Sequence, residues 1–315
     1  MTAAVPVLAA HHVERVVSPN DAVEAVRRGF VAYATGEWKM PPKVYVTNYP
    51  AGDFRAMPAI GGGHALLKWV TSFPDNPLRG LPTVSGVVLV SDATDGSLRA
   101  VLDAGSVTAL RTGAAAVLAA ETLARSDVQS SAVVGAGVNG RAVARTLRAR
   151  GRDVVVWDVD LERATTVARE VGGEVAPSLA AALAADVVVT VTPGHEVLVL
   201  EGSLLPGQHV SLMGADGPNK SEVAPAEVAR CHVFCDDWEQ ASHGGELQHA
   251  VEHGLVKRKD VTEIGDVLAG RATGRLGDGD ITLFDSTGLA IQDLAVALAA
   301  LERLDELDDV PRVSL

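Results

Sequence analysis

The sequence predicts an α/β protein with a doubly wound parallel sheet and a second, α+β part that is discontinuous in the chain. From about residue 130, β-rich runs such as SAVVGAG, DVVVWDVD and VVVTVT alternate with helical patterns such as NGRAVARTLRARG and LERATTVAREVGG. This alternation is typical of βαβ units on a parallel sheet. The first part of the chain lacks it, and one more apolar helical pattern, LAIQDLAVALAALERL, follows the last predicted strand, DITLFDSTG.

Composition narrows the class of protein. A chain of 315 residues with 47% hydrophobic content is long enough for two domains. A net charge of −13 argues against a nucleic-acid or anionic-membrane partner. The N-terminus has no basic n-region and no apolar run approaches the roughly 20 residues that span a bilayer, so we expect a cytoplasmic chain.

Metal binding and disulfides are not expected. The two cysteines, Cys231 and Cys235, lie in CHVFC without a second pair, which predicts reduced, inert thiols. The histidines of SHGGELQHAVEHG have a spacing that matches no zinc motif, so no metal is assigned to His243, His249 and His253.

The first part of the chain is predicted as follows. SPNDAVEAVRRGFVAYATG reads as a capped amphipathic helix, and VYVTNY, ALLKWVTSF and TVSGVVLVSD read as strands separated by Pro and Gly turns. The helical segment SVTALRTGAAAVLAAETLA leads to the sheet domain, whose later strands are GQHVSLMG, HVFCDD and DITLFDSTG. We expect domains at 1–120 and 121–287, with 288–315 returning to the first.

The turn in VVGAGVNGRAVA predicts a dinucleotide site. Gly135 permits the tight turn, Gly137 lets the backbone approach a pyrophosphate, and Gly140 lets helix and strand pack closely. Asp158 ends the next strand, where its carboxylate accepts ribose hydroxyls and repels a 2′-phosphate; Asp160 is the alternative for that function. A Rossmann-type domain that binds NAD(H) is therefore predicted, and a Gly-rich turn without a ligand is the alternative.

Charged side chains in apolar surroundings predict a substrate pocket. Buried cations need partners, and for each one alone the alternative is a solvated strand residue or a member of a structural ion pair. As a set in an acidic protein they indicate a site for carboxylates. Asp216, in SLMGADGPNKSE, follows a strand at the ligand-binding edge and is a candidate general acid/base, with an Asx-turn residue as the alternative. The cations are Lys43, Arg55, Lys68 and Arg111.

Longer strings resemble one family nearly end to end. LLKWVTSFPDNPLRGLPTVSGVVLVSDATDG, TALRTGAAA, GAGVNG, GADGPNKSE and FDSTGLAIQD, in this order, resemble the ornithine cyclodeaminase/μ-crystallin family. PPKVYV, GDFRAMPA and DDWEQASHGGE most resemble its archaeal-type alanine dehydrogenases. The resemblance implies an NAD-binding Rossmann domain, a substrate/dimerisation domain assembled from both chain ends, and a homodimer formed through it.

The resemblance also implies functions for single residues. Lys68 and Arg111 match substrate-carboxylate contacts, and Asp216 matches the catalytic acidic residue. Lys43 stands where cyclodeaminases usually carry an arginine that binds the carboxylate, and Asn139 replaces a common glutamine. The positions that match cofactor contacts are Thr83, Val138, Asn139, Asp158, Thr192, Met213, Gly214, Lys220 and Ser286.

Arg55 distinguishes this sequence from the cyclodeaminases it resembles. They carry what looks like a glutamate for the distal amine of the substrate at the position before the x-Met-Pro step, whereas this chain has Arg55. A cation about 4 Å from that amine would cost on the order of 1 to 4 kcal/mol. Ornithine and lysine are therefore disfavoured, and a 2-oxo acid or a small amino acid is favoured. A slip of one residue in the strand would turn Arg55 to the other face.

The expected activity is the reversible NAD-dependent oxidative deamination of a small L-amino acid, alanine to pyruvate and ammonium. Arg111 with Lys43 or Lys68 holds the carboxylate. Lys68 polarises the developing carbonyl oxygen, and Asp216 transfers protons. The alternatives are a ketimine or imino-acid reductase, a cyclodeaminase that recycles NAD within each turnover, and a non-catalytic NAD(H)- or ligand-binding protein. Retained Lys68, Arg111 and Asp216 argue against the last.

Overall fold

The structure is a computed structural model that describes residues 4–194, 196–217 and 220–314. These residues form two compact units. Unit 1 comprises the described residues of Met1–Arg111 and Leu289–Leu315, and unit 2 comprises those of Thr112–Gly288. No helix in the described part of the chain is long and apolar enough to cross a bilayer.

Strands and helices are numbered in chain order. The strands are β1 (Val5–Leu8), β2 (Val44–Asn48), β3 (Gly52–Gly61), β4 (His64–Ser72), β5 (Val84–Asp92), β6 (Leu98–Asp103), β7 (Ser131–Val134), β8 (Val154–Trp157), β9 (Glu174–Val175), β10 (Val187–Thr190), β11 (His209–Leu212), β12 (His232–Cys235), β13 (Val261–Glu263), β14 (Thr282–Asp285) and β15 (Arg312–Val313). The helices are α1 (Ala10–Val16), α2 (Pro19–Ala34), α3 (Ala104–Leu123), α4 (Val138–Ala149), α5 (Leu161–Val171), α6 (Leu179–Leu183), α7 (Pro225–Val228), α8 (Trp238–Gly244), α9 (Gln248–Glu252), α10 (Ile264–Leu268) and α11 (Ala290–Glu302).

Unit 1 contains a mixed sheet in the order β15-β1-β6-β5-β4-β3-β2. Strands β2 to β6 pair antiparallel with their neighbours, and β1 pairs parallel with β6. The predicted strands VYVTNY, ALLKWVTSF and TVSGVVLVSD are confirmed as β2, β4 and β5. One face of β3 and β4 is largely buried, and residues of the other face are half-buried or exposed. This division separates the buried charged residues from an apolar outer surface.

Helices cover the buried face of this sheet. The predicted capped helix is confirmed as α2, where the Ser18 hydroxyl accepts from the Asp21 N–H and the Asp21 carboxylate accepts from the Ser18 N–H. This reciprocal capping box satisfies N–H groups that a helix start leaves without partners. The apolar helix α11 packs against α2 and β3, and thereby brings the end of the chain into unit 1.

Unit 2 contains a parallel sheet in the order β13-β12-β14-β11-β10-β7-β8-β9. Strands β7 and β10 are Val-rich and buried on both faces, as parallel strands under helices require. From β7 the chain first adds β8 and β9 on one side and later β10 and β11 on the other. The carboxyl ends of β7 and β10 therefore flank the switch point at which such sheets bind ligands. The predicted fold class is confirmed.

Candidate active site

The glycine turn after β7 has the geometry that a dinucleotide needs. Gly135 has φ 106°, and a Cβ there would lie 2.8 Å from the Val191 carbonyl oxygen. A Cβ on Gly140 would overlap the Gly135 carbonyl oxygen, so α4 can pack this closely only with glycine. A Cβ on Gly137 would meet nothing within 4 Å, and no side chain caps the α4 N-terminus at this residue. The turn thus presents an open helix N-terminus that fits a pyrophosphate.

Asp158 lies directly after β8 and holds this turn in place. Its Oδ2 accepts from the Ala136 N–H at 2.6 Å, and its Oδ1 accepts from the Asp160 N–H and the Arg163 guanidinium at 2.8 and 3.1 Å. Carboxylate oxygens have further lone pairs, so these bonds are compatible with the predicted ribose contact. Asp160 instead caps α5 by accepting from the N–H groups of Glu162 and Arg163.

A buried carboxylate forms hydrogen bonds with residues at the ends of β10 and β11. Glu222 is fully buried, and its oxygens accept from the Thr190 hydroxyl, the Thr192 N–H and hydroxyl, and the Gly214 N–H at 2.6 to 3.1 Å. Met213 follows β11 and is buried. Glu222 therefore fixes two of the predicted cofactor positions, Thr192 and Gly214. Glu222 closes the GADGPNKSE string, but nothing local in the sequence marks it as buried.

A second buried carboxylate lies behind the first. Glu246 accepts from the N–H groups of Glu222 and Val223 and from the Ser221 hydroxyl. Burial raises the pKa of the Glu222 carboxyl group. Burial, followed by the negative charges of Glu222 and Asp285, raises the pKa of Glu246 well above its usual range. The loop that bears Asp216 is thus anchored at its far end by a hydrogen-bonded acidic pair.

The candidate catalytic Asp216 forms an ion pair with Lys220. The Lys220 Nζ lies 2.6 Å from Asp216 Oδ1, and the side chains are 24% and 38% exposed. Both groups are thus accessible at the carboxyl edge of the sheet, beyond β11. The remaining cofactor positions vary in burial: Val138 is 74% exposed, and Ser286 is buried with its hydroxyl donating to Asp236. Asn139 is half-buried on the first turn of α4.

Thr83, the predicted cofactor contact that belongs to unit 1, lies directly before β5. It is half-buried, and its carbonyl oxygen accepts from the Phe73 N–H at 2.8 Å. The structure therefore places Thr83 in a different unit from the other predicted cofactor positions.

Lys68 is the centre of a buried charged cluster in unit 1. Its side chain is 2% exposed, and its Nζ donates to the Thr108 hydroxyl at 2.7 Å and to Asp293 Oδ1 at 3.0 Å. Burial lowers the pKa of Lys68; the Asp293 carboxylate opposes this effect, and the charges of Arg111 and Arg55 add to it. Asp293 lies on α11 and is fully buried. Its countercharge helps to keep the ammonium group protonated.

Two polar atoms of this cluster have no hydrogen bond among the described residues. They are Arg111 Nε and Asp293 Oδ2, although Arg111 Nε lies 3.8 Å from the other Asp293 oxygen. A buried polar group without a partner is costly. An N–H donor of this kind beside a buried ammonium group fits a carboxylate ligand, which accepts from both cations.

The structure brings Arg55 to the same buried face as Lys68. Arg55 is 8% exposed; its Nε and Nη2 donate to the two oxygens of Asp53 at 2.6 and 3.2 Å. Its guanidinium carbon lies 5.4 Å from the centre of the Tyr45 ring. The sequence predicted a cation here, but it did not reveal that Asp53 offsets the charge. Lys43 lies half-buried directly before β2.

The cysteines and one histidine-containing group are the other candidates for a metal or redox function among the described residues. Both cysteines are free, and burial raises the pKa of Cys231 to about 12. In the described ranges, three potential metal ligands come within 4.8 Å of one another at His11, His12 and Asp309. However, His12 Nδ1 accepts from the Ala9 N–H, so Nε2 carries the proton, and Arg15 donates to both Asp309 oxygens. We assign no metal to this group.

The two units supply complementary chemistry. An uncapped helix N-terminus suits a pyrophosphate, and buried cations suit a substrate carboxylate. Each feature is typical of dinucleotide-dependent oxidoreductases. Residues 4–307 match the Ornithine cyclodeaminase/mu-crystallin family, and the chain belongs to this family. The resemblance read from the sequence is confirmed.

Two relatives illustrate the range of activities in the family. The alanine dehydrogenase of Archaeoglobus fulgidus is 41% identical over 305 residues, which cover 94% of this chain and 94% of the relative. The iminosuccinate reductase of Paracoccus denitrificans is 32% identical over 314 residues, with 94% and 95% covered. Relatives also include pyrroline-2-carboxylate reductases and an ornithine cyclodeaminase. The chain is therefore an NAD-dependent oxidoreductase of this family, and the substrate varies among its relatives.

Solved structures agree with the predicted NAD(H) cofactor. An archaeal alanine dehydrogenase dimer with bound NAD has a TM-score of 0.94 and 38% identity, covering 99% of this chain and 100% of that one. The Paracoccus denitrificans iminosuccinate reductase in complex with NAD+ has a TM-score of 0.91 and 29% identity, with the same coverage.

Proposed function

We propose that this protein catalyses the reversible NAD-dependent oxidative deamination of L-alanine to pyruvate and ammonium. The observation that carries the proposal is the buried Lys68–Arg111–Asp293 cluster with Arg55 on the same face. This face offers cations to a carboxylate. Arg55, whose charge is offset by Asp53, occupies the position where cyclodeaminases carry what looks like a glutamate for the basic tail of ornithine or lysine. The 41% identity to an alanine dehydrogenase supports the same substrate class.

The residues of unit 1 bind and orient the substrate. The Lys68 ammonium and the Arg111 guanidinium bind the carboxylate, and Lys43 adds a less buried cation. Fixing this group restricts the orientation of the substrate Cα, which lowers the entropic part of the barrier. In the amination direction, Lys68 also stabilises negative charge that develops on the carbonyl oxygen of pyruvate.

The residues of unit 2 bind the cofactor and transfer protons. The open turn at Gly137 holds the pyrophosphate, and Asp158 accepts ribose hydroxyls. NAD+, when bound, supplies the hydride acceptor. Asp216 takes a proton from the substrate ammonium and from the attacking water, and returns protons in the reverse direction. Lys220 keeps a cation beside this carboxylate.

Turnover by the purified protein tests the proposal. We expect NADH oxidation with pyruvate only when ammonium is present. Asp216→Asn should abolish this turnover and leave NADH affinity unchanged. Asp278→Asn, at an exposed position of unit 2, serves as the matched control and should keep full activity. Loss of NADH binding together with turnover in Asp216→Asn would indicate a structural function for Asp216 instead.

An imine reductase is the second candidate because relatives at 32% identity are named iminosuccinate reductase and Delta(1)-pyrroline-2-carboxylate reductase. The same cations also suit the carboxylate group of a cyclic imino acid. Oxidation of NADH with a cyclic ketimine, but not with pyruvate and ammonium, would assign this activity. Conversion of ornithine without a net change in NADH would assign a cyclodeaminase.

We also propose a homodimer formed through the outer face of the β2–β5 sheet. This outer face comprises Val44, Val46, Phe54, Leu67, Trp69 and Val87. Val44 and Val46 are 56% and 51% exposed, and the Phe54 and Trp69 rings stack at 5.7 Å. A contiguous apolar surface of this kind is typical of subunit interfaces.

A further inference from the structure

The Asp53–Arg55 pair is a built feature of the buried face of β3. The two residues are separated by one position and so project to the same side of the strand. Two bonds, at 2.6 and 3.2 Å, join the guanidinium to both carboxylate oxygens, and the side chains are 10% and 6% exposed. Bidentate pairing at this buried position fixes the orientation of the guanidinium and offsets its charge.

This pair lies beside the carboxylate site. Met57 of β3 is opposite Lys68 of β4, and Arg55 is opposite Val70. Arg55 and Lys68 are therefore diagonal neighbours on one face, which places such residues about 7–8 Å apart. Burial is the main cause of the lowered pKa of Lys68, and the positive charge of Arg55 acts in the same direction. Asp53 lies one step further along the same face, opposite Ser72.

The order of charges along this face has a consequence for the substrate. A carboxylate bound by Lys68 and Arg111 meets cations only partly offset by Asp293. A second carboxylate on the same substrate, directed along the sheet, would reach Arg55 and with it the Asp53 carboxylate. The second carboxylate of the substrate and the Asp53 carboxylate would repel each other, because both are negative and the site is poorly solvated. Lys43 adds a cation, but it is only half-buried, so water screens its charge.

Resting on the proposed function, we propose that Asp53 is a specificity-determining residue: by pairing with Arg55 it restricts the substrate site to monocarboxylates. Without Asp53, Arg55 would offer its bidentate fork to a second carboxylate, and the site would accept C4 dicarboxylates. The same pair thus acts as a filter between substrates that differ by one carboxylate.

Equilibrium binding tests this filter without turnover. Propionate and succinate are titrated into the NADH-loaded protein, and the ratio of their dissociation constants is measured. We expect the wild-type protein to favour propionate at least 10-fold, and Asp53→Asn to reduce this preference at least 10-fold. Asp53→Glu keeps the negative charge and should retain the preference. A wild-type protein that binds both anions equally would overturn the proposal, and this measurement requires no variant.

An unchanged ratio in folded Asp53→Asn would also overturn the filter and assign the pair to stability alone. Turnover with pyruvate and ammonium, measured on the wild-type protein in parallel, separates the two proposals. Pyruvate turnover without anion selectivity would leave the proposed function intact and exclude the filter. Selectivity without pyruvate turnover would retain the filter and exclude alanine as the substrate.

Discussion

At the scale of single residues, burial decides which charges matter. Lys68 is among the largest fully buried side chains, and its ammonium group depends on Asp293 for a countercharge. The sequence identified Lys68 and Arg111 but not Asp293, which is a lone acid in the apolar helix pattern LAIQDLAVALAAL. That isolation was a usable indication, because a charge in an apolar stripe requires a buried partner.

Asp293→Asn should weaken substrate binding in a pH-dependent way. The Asp293 carboxylate raises the pKa of Lys68, so its removal lowers that pKa further. Lys68 then loses its proton at a lower pH, and kcat/KM for pyruvate should fall at a lower pH than in the wild-type protein. A loss on the order of 10-fold is expected above neutrality, since a hydrogen bond to a charged group contributes about 1.5–3 kcal/mol.

The pH profile of kcat/KM measures this effect, and Asp305→Asn, at an exposed position after α11, is its control. An alkaline limb at the wild-type position in Asp293→Asn would show that Asp293 does not sustain the charge of Lys68.

At the scale of single elements, two glycines of one turn should separate stability from binding. Gly140→Ala places a Cβ against the Gly135 carbonyl oxygen, so α4 must move away from β7. We expect a cost of about 3 kcal/mol or more in the free energy of unfolding, as for other strained core changes. Gly137→Ala meets nothing within 4 Å and has φ −74°, so the fold should persist while NADH affinity falls.

Denaturant unfolding and NADH titration of both variants test this contrast. Equal stability losses in the two variants would contradict the difference in packing between Gly140 and Gly137. Unchanged NADH affinity in Gly137→Ala would contradict the predicted position of the pyrophosphate.

Strand β11 carries a histidine that stays neutral in the folded protein. Burial lowers the pKa of His209 to about 3, and its ring nitrogens contact the Thr282 and Ser211 hydroxyls at 3.0 and 2.9 Å. The unfolded chain, with an ordinary histidine, binds the proton below about pH 6.5. The contribution of His209 to the free energy of unfolding is therefore fully present above that pH. It is lost as the pH decreases, by about 2 kcal/mol at pH 5.

His209→Gln removes this titration, so its free energy of unfolding should change less between pH 7 and 5 than that of the wild-type protein. Denaturant melts at both pH values measure the difference, and Glu222 and Glu246 titrate in both proteins. Parallel pH dependences would show that His209 is protonated inside the fold.

At the scale of the whole molecule, the outer face should hold two copies together. Trp69→Glu places a charge in this apolar surface, where desolvating it in an interface is costly. We expect a shift from dimer to monomer in sedimentation velocity at micromolar protein. Leu200→Glu, at a 60% exposed position of unit 2, is the control and should remain dimeric. A dimeric Trp69→Glu variant would exclude this face as the interface.

The sequence by itself determined the parallel sheet, the glycine turn and most of the charged site, because these depend on local patterns. Alternating β and helical runs, the spacing of Gly135, Gly137 and Gly140, and cations in apolar strings all appear within a few residues. The sequence places Arg55 in a strand but does not define the bounds of β3, because GDFRAMPAIG combines Gly, Asp and Pro. The pairing of β3 with β4 establishes them, and Pro58 lies beyond Ala56, the last β3 residue paired with β2.

Only the tertiary structure decided which charges meet. Asp293 and Lys68 are separated by 225 positions in the chain, and strand register alone brings Arg55 diagonal to Lys68. Even Asp53, only two residues from Arg55, could be identified as its partner only from the structure, which places both side chains on one buried face. The physical reason is that an ion pair depends on distance and desolvation, and burial and register fix both only after the chain has folded.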